Sequence, residues 1–131
     1  MLSQPELLSP AGNLETLKYA ALYGADAIYC ALKEFGMRAA PANFAHARGK
    51  KVYLTLNTLP TNEELTRLPE TIRDARDAGV DAFIVADLGV VELCKKYAPD
   101  TDIHFSTQAG IANYAAANAA YHLGAKRVVL A

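Results

Sequence analysis

Along nearly the whole chain, short apolar runs of strand length alternate with segments whose apolar residues recur at helical spacing. Glu6-Leu7-Leu8 reads as a short first strand. Asn13 suits a helix N-cap ahead of Leu14, Leu17, Ala20 and Ala21, and Gly24 closes that helix. Residues 26–31 read as a second strand. Residues 51–57, rich in β-branched and aromatic side chains, give the strongest strand signal. Thr61 or Asn62 then starts a helix carrying Leu65, Leu68, Ile72 and Ala75, with a kink or break expected at Pro69. Strands follow at 81–85, 102–106 and 127–130, separated by helices at 88–97 and 111–123.

A repeat ties these elements together. Gly24-Ala25-Asp26-Ala27-Ile28, Gly79-Val80-Asp81-Ala82-Phe83 and Gly124-Ala125-Lys126-Arg127-Val128 share one layout, and Gly49-Lys50-Lys51-Val52 is a looser copy. A glycine ends a helix, a small and a polar residue follow, and a strand begins. Repeated helix–glycine–strand units imply parallel strands with helical crossovers. Two architectures use them, the (β/α) barrel and the open doubly wound sheet. Ser9-Pro10-Ala11-Gly12 is not the glycine-rich phosphate loop that the second usually carries after its first strand. The fold expected is therefore α/β: a partial TIM-type barrel of about six parallel strands, with residues 1–131 forming one domain, the N-terminal portion of a barrel that needs eight units to close.

Composition adds exclusions. With 13 basic and 14 acidic residues the formal net charge is −1, which gives no electrostatic case for non-specific nucleic-acid or membrane binding by this segment. The start lacks a signal-peptide pattern, and no apolar run approaches the roughly 18 residues of a membrane span. Cys30 and Cys94 form no CxxC pair and read as reduced thiols in a cytoplasmic protein.

In a parallel barrel the chemistry sits at the C-terminal ends of the strands. Here those ends are small and polar: Ser9, Asn57-Thr58, Asp87 and Ser106-Thr107-Gln108, with Lys33, Arg38 and Asn43 after the second strand. The opposite rim carries Asp26, Lys51, Asp81 and Asp102, which suit the capping of strand starts. Asn57 and Asp87 also have capping alternatives. Arg38 above a barrel mouth suits a carboxylate or phosphate. There is no HExxH, GxSxG, P-loop or GxGxxG. His46, His104 and His122 have no carboxylate or cysteine at ligand spacing, so no metal is expected on them.

At these strand ends the chain resembles the collagenase-like peptidases, peptidase family U-32. The matching segments are Glu6 to Glu15, Gly24-Ala25-Asp26-Ala27-Ile28-Tyr29, Phe35-Gly36-Met37-Arg38-Ala39, Gly49-Lys50-Lys51-Val52-Tyr53, Leu56-Asn57-Thr58, Asp87-Leu88-Gly89, His104 to Gln108 and Arg127-Val128-Val129-Leu130, in that order. The resemblance implies a barrel protein several hundred residues long, of which this is the N-terminal part. It implies a peptidase or hydrolase by family name, while better-understood relatives hydroxylate transfer RNA, ribosomal RNA or a ubiquinone precursor. Those relatives use an iron–sulfur cluster on cysteines beyond the matched region, and neither Cys30 nor Cys94 matches them.

Two departures stand out. Relatives carry more residues between the counterparts of Phe44 and Ala45, so the stretch between strands two and three has little room for a full crossover helix. Relatives also continue past the sixth strand, and open edge strands favour association with a second copy.

Three functions follow as expectations. The first is a peptidase-family enzyme. In it Asp87 is the acid/base, Arg38 binds an anionic group, Asn57 and Gln108 orient the substrate, and Ser9, Ser106 and Thr107 line the pocket. The substrate is a peptide, an RNA or a small molecule, and this segment holds no cofactor. The second is part of an iron–sulfur-dependent hydroxylase. The third is a non-catalytic barrel scaffold. A peptidase needs an activated nucleophile or a metal-bound water, and the sequence shows neither.

Overall fold

The computed structural model describes residues 3–35 and 39–131. Its strands are β1 (Leu8–Pro10), β2 (Ala27–Ala31), β3 (Lys51–Leu56), β4 (Ala82–Val85), β5 (Asp102–Phe105) and β6 (Ala125–Val128). They pair in parallel, each with the next in sequence. That sequential order is the barrel order; a doubly wound sheet would reverse direction at a switch point. Among the described residues β1 pairs only with β2 and β6 only with β5, so the sheet is open.

The helices are α1 (Leu14–Leu22), α2 (Leu32–Phe35), α3 (Ala39–His46), α4 (Asn62–Leu65), α5 (Leu68–Asp77), α6 (Leu88–Tyr97) and α7 (Tyr114–His122), with a 3-10 turn at Thr107–Ala109. None is long and apolar enough to cross a membrane. Local chemistry explains most boundaries. Asn13 caps α1 by accepting the Thr16 N–H at 2.8 Å, and Thr61 caps α4 in a reciprocal box with Glu64. The break expected at Pro69 falls just before it, at Thr66 and Arg67, which leaves the proline in the first turn of α5 where no N–H is needed.

Four expectations change. The crossover between β2 and β3 does hold helix: α3 runs continuously through Phe44 and Ala45 for 8 residues. Pro41 is its third residue, so the missing N–H is one that a first turn leaves unpaired anyway. Helix α7 starts at Tyr114, because Asn113 accepts the Ala116 N–H at 2.9 Å and Ile111 stays outside as a buried loop residue. Strand β1 begins two residues later than Glu6, and β6 begins at Ala125, opposite Ile103, with a bulge that then sets Arg127 opposite His104.

The repeated glycines have the backbone that the repeat implies, with φ of 107° at Gly24, 91° at Gly79 and 104° at Gly124. At Gly79 an added Cβ would meet Ala42 and His46 at 3.7 Å, ordinary contact, so the conformation alone sets the cost. Gly79→Ala is expected to destabilise the chain by about 1–2 kcal/mol in urea unfolding. An unchanged midpoint would show that the turn relaxes to negative φ.

Alternation divides the core into two layers. Val52, Leu54, Phe83, Val85 and Ile103 point outward against Ile72, Val90, Val91 and Cys94 of the helices. Ala27, Tyr53, Ala82 and Ile84 point to the concave side, with Leu8 and Tyr29 packed on them. Both faces of the central strands are therefore covered, as a parallel sheet requires. On the lower rim, Asp26 accepts the Leu7 N–H at 2.8 Å. Asp81 accepts the Val52 N–H at 2.7 Å and pairs with His46 at the same distance. Those two aspartates cap the neighbouring strands, as the sequence suggests.

Candidate functional site

The upper, C-terminal end of the concave face holds a cavity of about 330 Å3. Its sides are Tyr29, Thr55 and Ile84 from β2, β3 and β4, and its rim is Asn57, Ser106 and Thr107. Leu8 and Val129, from the two edges of the sheet, form the remaining walls. This lies at the small end of ligand-pocket volumes and suits one ring-sized group. No charged side chain lines it among the described residues.

Asn57 and Ser106 end β3 and β5, which β4 separates, and their side chains meet above it. Asn57 Nδ2 donates to Ser106 Oγ at 3.4 Å, and the Gln108 N–H donates to the same oxygen at 3.4 Å. Ser106 is buried and accepts twice, so its own proton is left to donate. Both of its partners are donors and neither can take that proton. Among the described residues no base is bonded to Ser106, as a serine nucleophile would require.

The other expected residues are dispersed. Thr107 is an exposed rim residue, and Gln108 is exposed on the 3-10 turn, joined to the site through its backbone N–H. Ser9 is half-buried in β1, while Pro10, Ala11 and Gly12 border a second depression of about 250 Å3 that shares Tyr29 and Thr55. Asp87 is the N-cap of α6: its Oδ1 accepts the Val90 N–H at 3.1 Å, and it does not line the cavity. Arg38 lies outside the described residues.

One layer below sits a polar group that sequence reading missed. Glu6 Oε1 accepts from Arg127 at 2.6 Å, and the Tyr53 hydroxyl is 3.0 Å from both oxygens of Glu6. His104 stands edge-on to Tyr53, with ring centroids 4.7 Å apart. The Arg127 hydrogen bond holds the Glu6 carboxyl below its ordinary range. Burial, then the bond to Glu6, pushes the Tyr53 hydroxyl up to about 12. Burial, then the charge of Arg127, lowers His104 to about 4. The layer is thus an ion pair, a neutral phenol and a neutral imidazole at pH 7. The available signal was strand parity: Tyr53 and Thr55 face the same side, and so do Arg127 and Val129.

The described residues contain no group of three or more His, Cys, Asp and Glu side chains able to hold a metal ion. Cys30 and Cys94 are buried on β2 and α6, on the outer side of the sheet. These residues do not fit an iron–sulfur cluster.

Comparison with known proteins sets this geometry in context. The family model for peptidase family U32 matches residues 12–131. The tRNA hydroxylation protein P of Helicobacter pylori is 44% identical over 142 aligned positions, covering 99% of this chain and 34% of that protein. The 23S rRNA 5-hydroxycytidine C2501 synthase of Escherichia coli is 38% identical, with 96% of this chain and 20% of that protein covered. The chain thus spans about a third or less of the length of these relatives. An alignment of 142 positions against 131 residues also means that the Helicobacter protein has extra residues inside the matched region. Among solved structures, the U32 peptidase Mk0906 superposes with a TM-score of 0.78 at 18% identity, over 99% of this chain and 60% of that one, which shows the fold.

Proposed function

Since the chain belongs to peptidase family U32, we propose that it is the substrate-binding part of an RNA hydroxylase, in preference to a peptidase. The observation that carries this reading is the Asn57–Ser106 pair above the cavity, built for hydrogen bonding, with neither a charged lining nor a nucleophile's base among the described residues. Relatives named for tRNA hydroxylation and rRNA hydroxycytidine synthesis support it.

The cavity takes one unpaired base, turned out of its strand. The Asn57 amide spends one proton on Ser106 and keeps its carbonyl oxygen and second proton for the base edge. Ser106 adds a donor, and Tyr29 supplies an aromatic wall against the ring. Asp87 caps α6 and lies off the cavity, so this reading gives it no acid/base role. With a net charge of −1, this segment reads the base while phosphate contacts fall to surfaces outside it. The redox group that hydroxylation needs is likewise held outside the described residues. A cytoplasmic setting accords with an RNA substrate.

Expressed from its complete gene in a bacterium that lacks its own tRNA hydroxylation gene, the protein with Asn57→Ala is expected to give roughly tenfold to a hundredfold less hydroxylated nucleoside than wild type. Nucleoside mass spectrometry reads the yield and immunoblotting the protein level. Equal yields at equal protein levels would remove Asn57 from the site.

A further inference from the structure

Glu6 and Arg127 are 121 residues apart and belong to the two open edges of the sheet, Glu6 leading into β1 and Arg127 within β6. Their 2.6 Å ion pair runs across the concave side rather than along any strand ladder. Tyr53, from central strand β3, donates to the same carboxylate, and the Arg127 guanidinium lies 5.5 Å from the centroid of its ring. One carboxylate therefore gathers the first, third and sixth strands. Two residues further along, Leu8 and Val129 wall the cavity from opposite edges. In extended chain, residues i and i+2 share a face, so each clasp residue stands directly beneath a wall residue.

We infer that the Glu6–Arg127 pair, held by Tyr53, is a clasp that fixes the separation of the two cavity walls, which makes Glu6 and Arg127 positioning residues for the substrate site. The role at the substrate rests on the reading of that cavity proposed above; the clasp itself does not. The surroundings favour it. His104 is buried beside Tyr53, the Glu6 side chain is only 26% exposed, and Arg127 finds its carboxylate in Glu6. No other pairing between side chains of the two edges occurs among the described residues.

Hydrogen–deuterium exchange on the complete protein tests this with wild type, Glu6→Ala and Glu6→Gln. Glu6→Ala is expected to speed exchange at least tenfold in β1 and at the Val129 amide, which bonds to the Phe105 carbonyl at 2.9 Å, while β3 and β4 stay unchanged. Glu6→Gln keeps an acceptor for Arg127 and Tyr53 and should fall between. If Glu6→Ala does not fold, the comparison of Glu6→Gln with wild type decides. Unchanged exchange at β1 and Val129, or equal acceleration in every strand, would overturn the clasp. In RNA hydroxylation assays the same variants should raise KM several-fold at unaltered kcat; unaltered KM alongside faster exchange would overturn the positioning role. Wild-type protein without any RNA hydroxylation would instead count against the proposed function, and exchange would still decide the clasp.

Discussion

Phe83→Ala is expected to lower the unfolding free energy by about 4 kcal/mol, the largest single-residue effect foreseen in this chain. Phe83 is fully buried in β4, between neighbours Leu54 of β3 and Ile103 of β5 in register. It belongs to the outer layer, where the sheet meets Ile72, Val90, Val91 and Cys94. Truncation removes a ring's worth of contacts, and two paired strands on either side keep the space from collapsing. Urea unfolding of wild type and variant measures the difference. A loss under about 1 kcal/mol would mean that the helices slide in to fill the gap, contrary to the close packing described.

A second large effect is acid sensitivity from His104. Its side chain is 5% exposed, and burial with the nearby Arg127 charge lowers its pKa from 6.5 to about 4. The unfolded chain therefore binds a proton between those values that the folded chain refuses. Stability is complete above pH 6.5 and falls as the pH drops towards 4, by about 3 kcal/mol over the interval and about 2 kcal/mol by pH 5. Glu6 acts in the same direction in a lower window. Its carboxyl is held below the ordinary 4.5, so its contribution is present above that value and is lost as pH falls through the lower, folded one. Comparing pH 7 with pH 5 thus leaves the Glu6 contribution out, and a variant assigns the loss to His104. His104→Phe, which keeps a ring against Tyr53, should flatten that part of the profile. An equally steep profile in the variant would assign the acid loss elsewhere.

What could be read in the sequence was largely what is decided locally. The caps at Asn13 and Thr61, the break beside Pro69 and the positive-φ glycines are settled within a few residues, and the structure has each of them. The parallel strands followed from the repeat, and the lack of a glycine-rich phosphate loop after the first strand favoured the sequential barrel order that the structure has. Asn57 and Ser106 were legible as polar residues at strand ends; that they meet each other is a matter of sheet curvature, which no local pattern records. Strand parity could have put Tyr53 and Arg127 on the inner face, but that Arg127 reaches Glu6 depends on the same curvature. Glu6 looked like the start of a strand that in fact begins at Leu8, and Arg127 like the start of one that begins at Ala125. The bulge beside Ile103, which sets Arg127 opposite His104, is fixed by pairing with β5 and leaves no mark in the sequence of β6.

The central claim, that this member of peptidase family U32 serves RNA hydroxylation, is tested most directly by gain of function. A bacterium deleted for its own tRNA hydroxylation gene would be given the complete gene that encodes this chain, and its tRNA and rRNA nucleosides analysed by mass spectrometry. The expected result is the return of a nucleoside heavier by one oxygen atom, with no gelatin or peptide cleavage by the purified protein. An RNA nucleoside profile identical to that of the deletion strain, from a protein that is abundant, folded and active on gelatin, would contradict the account.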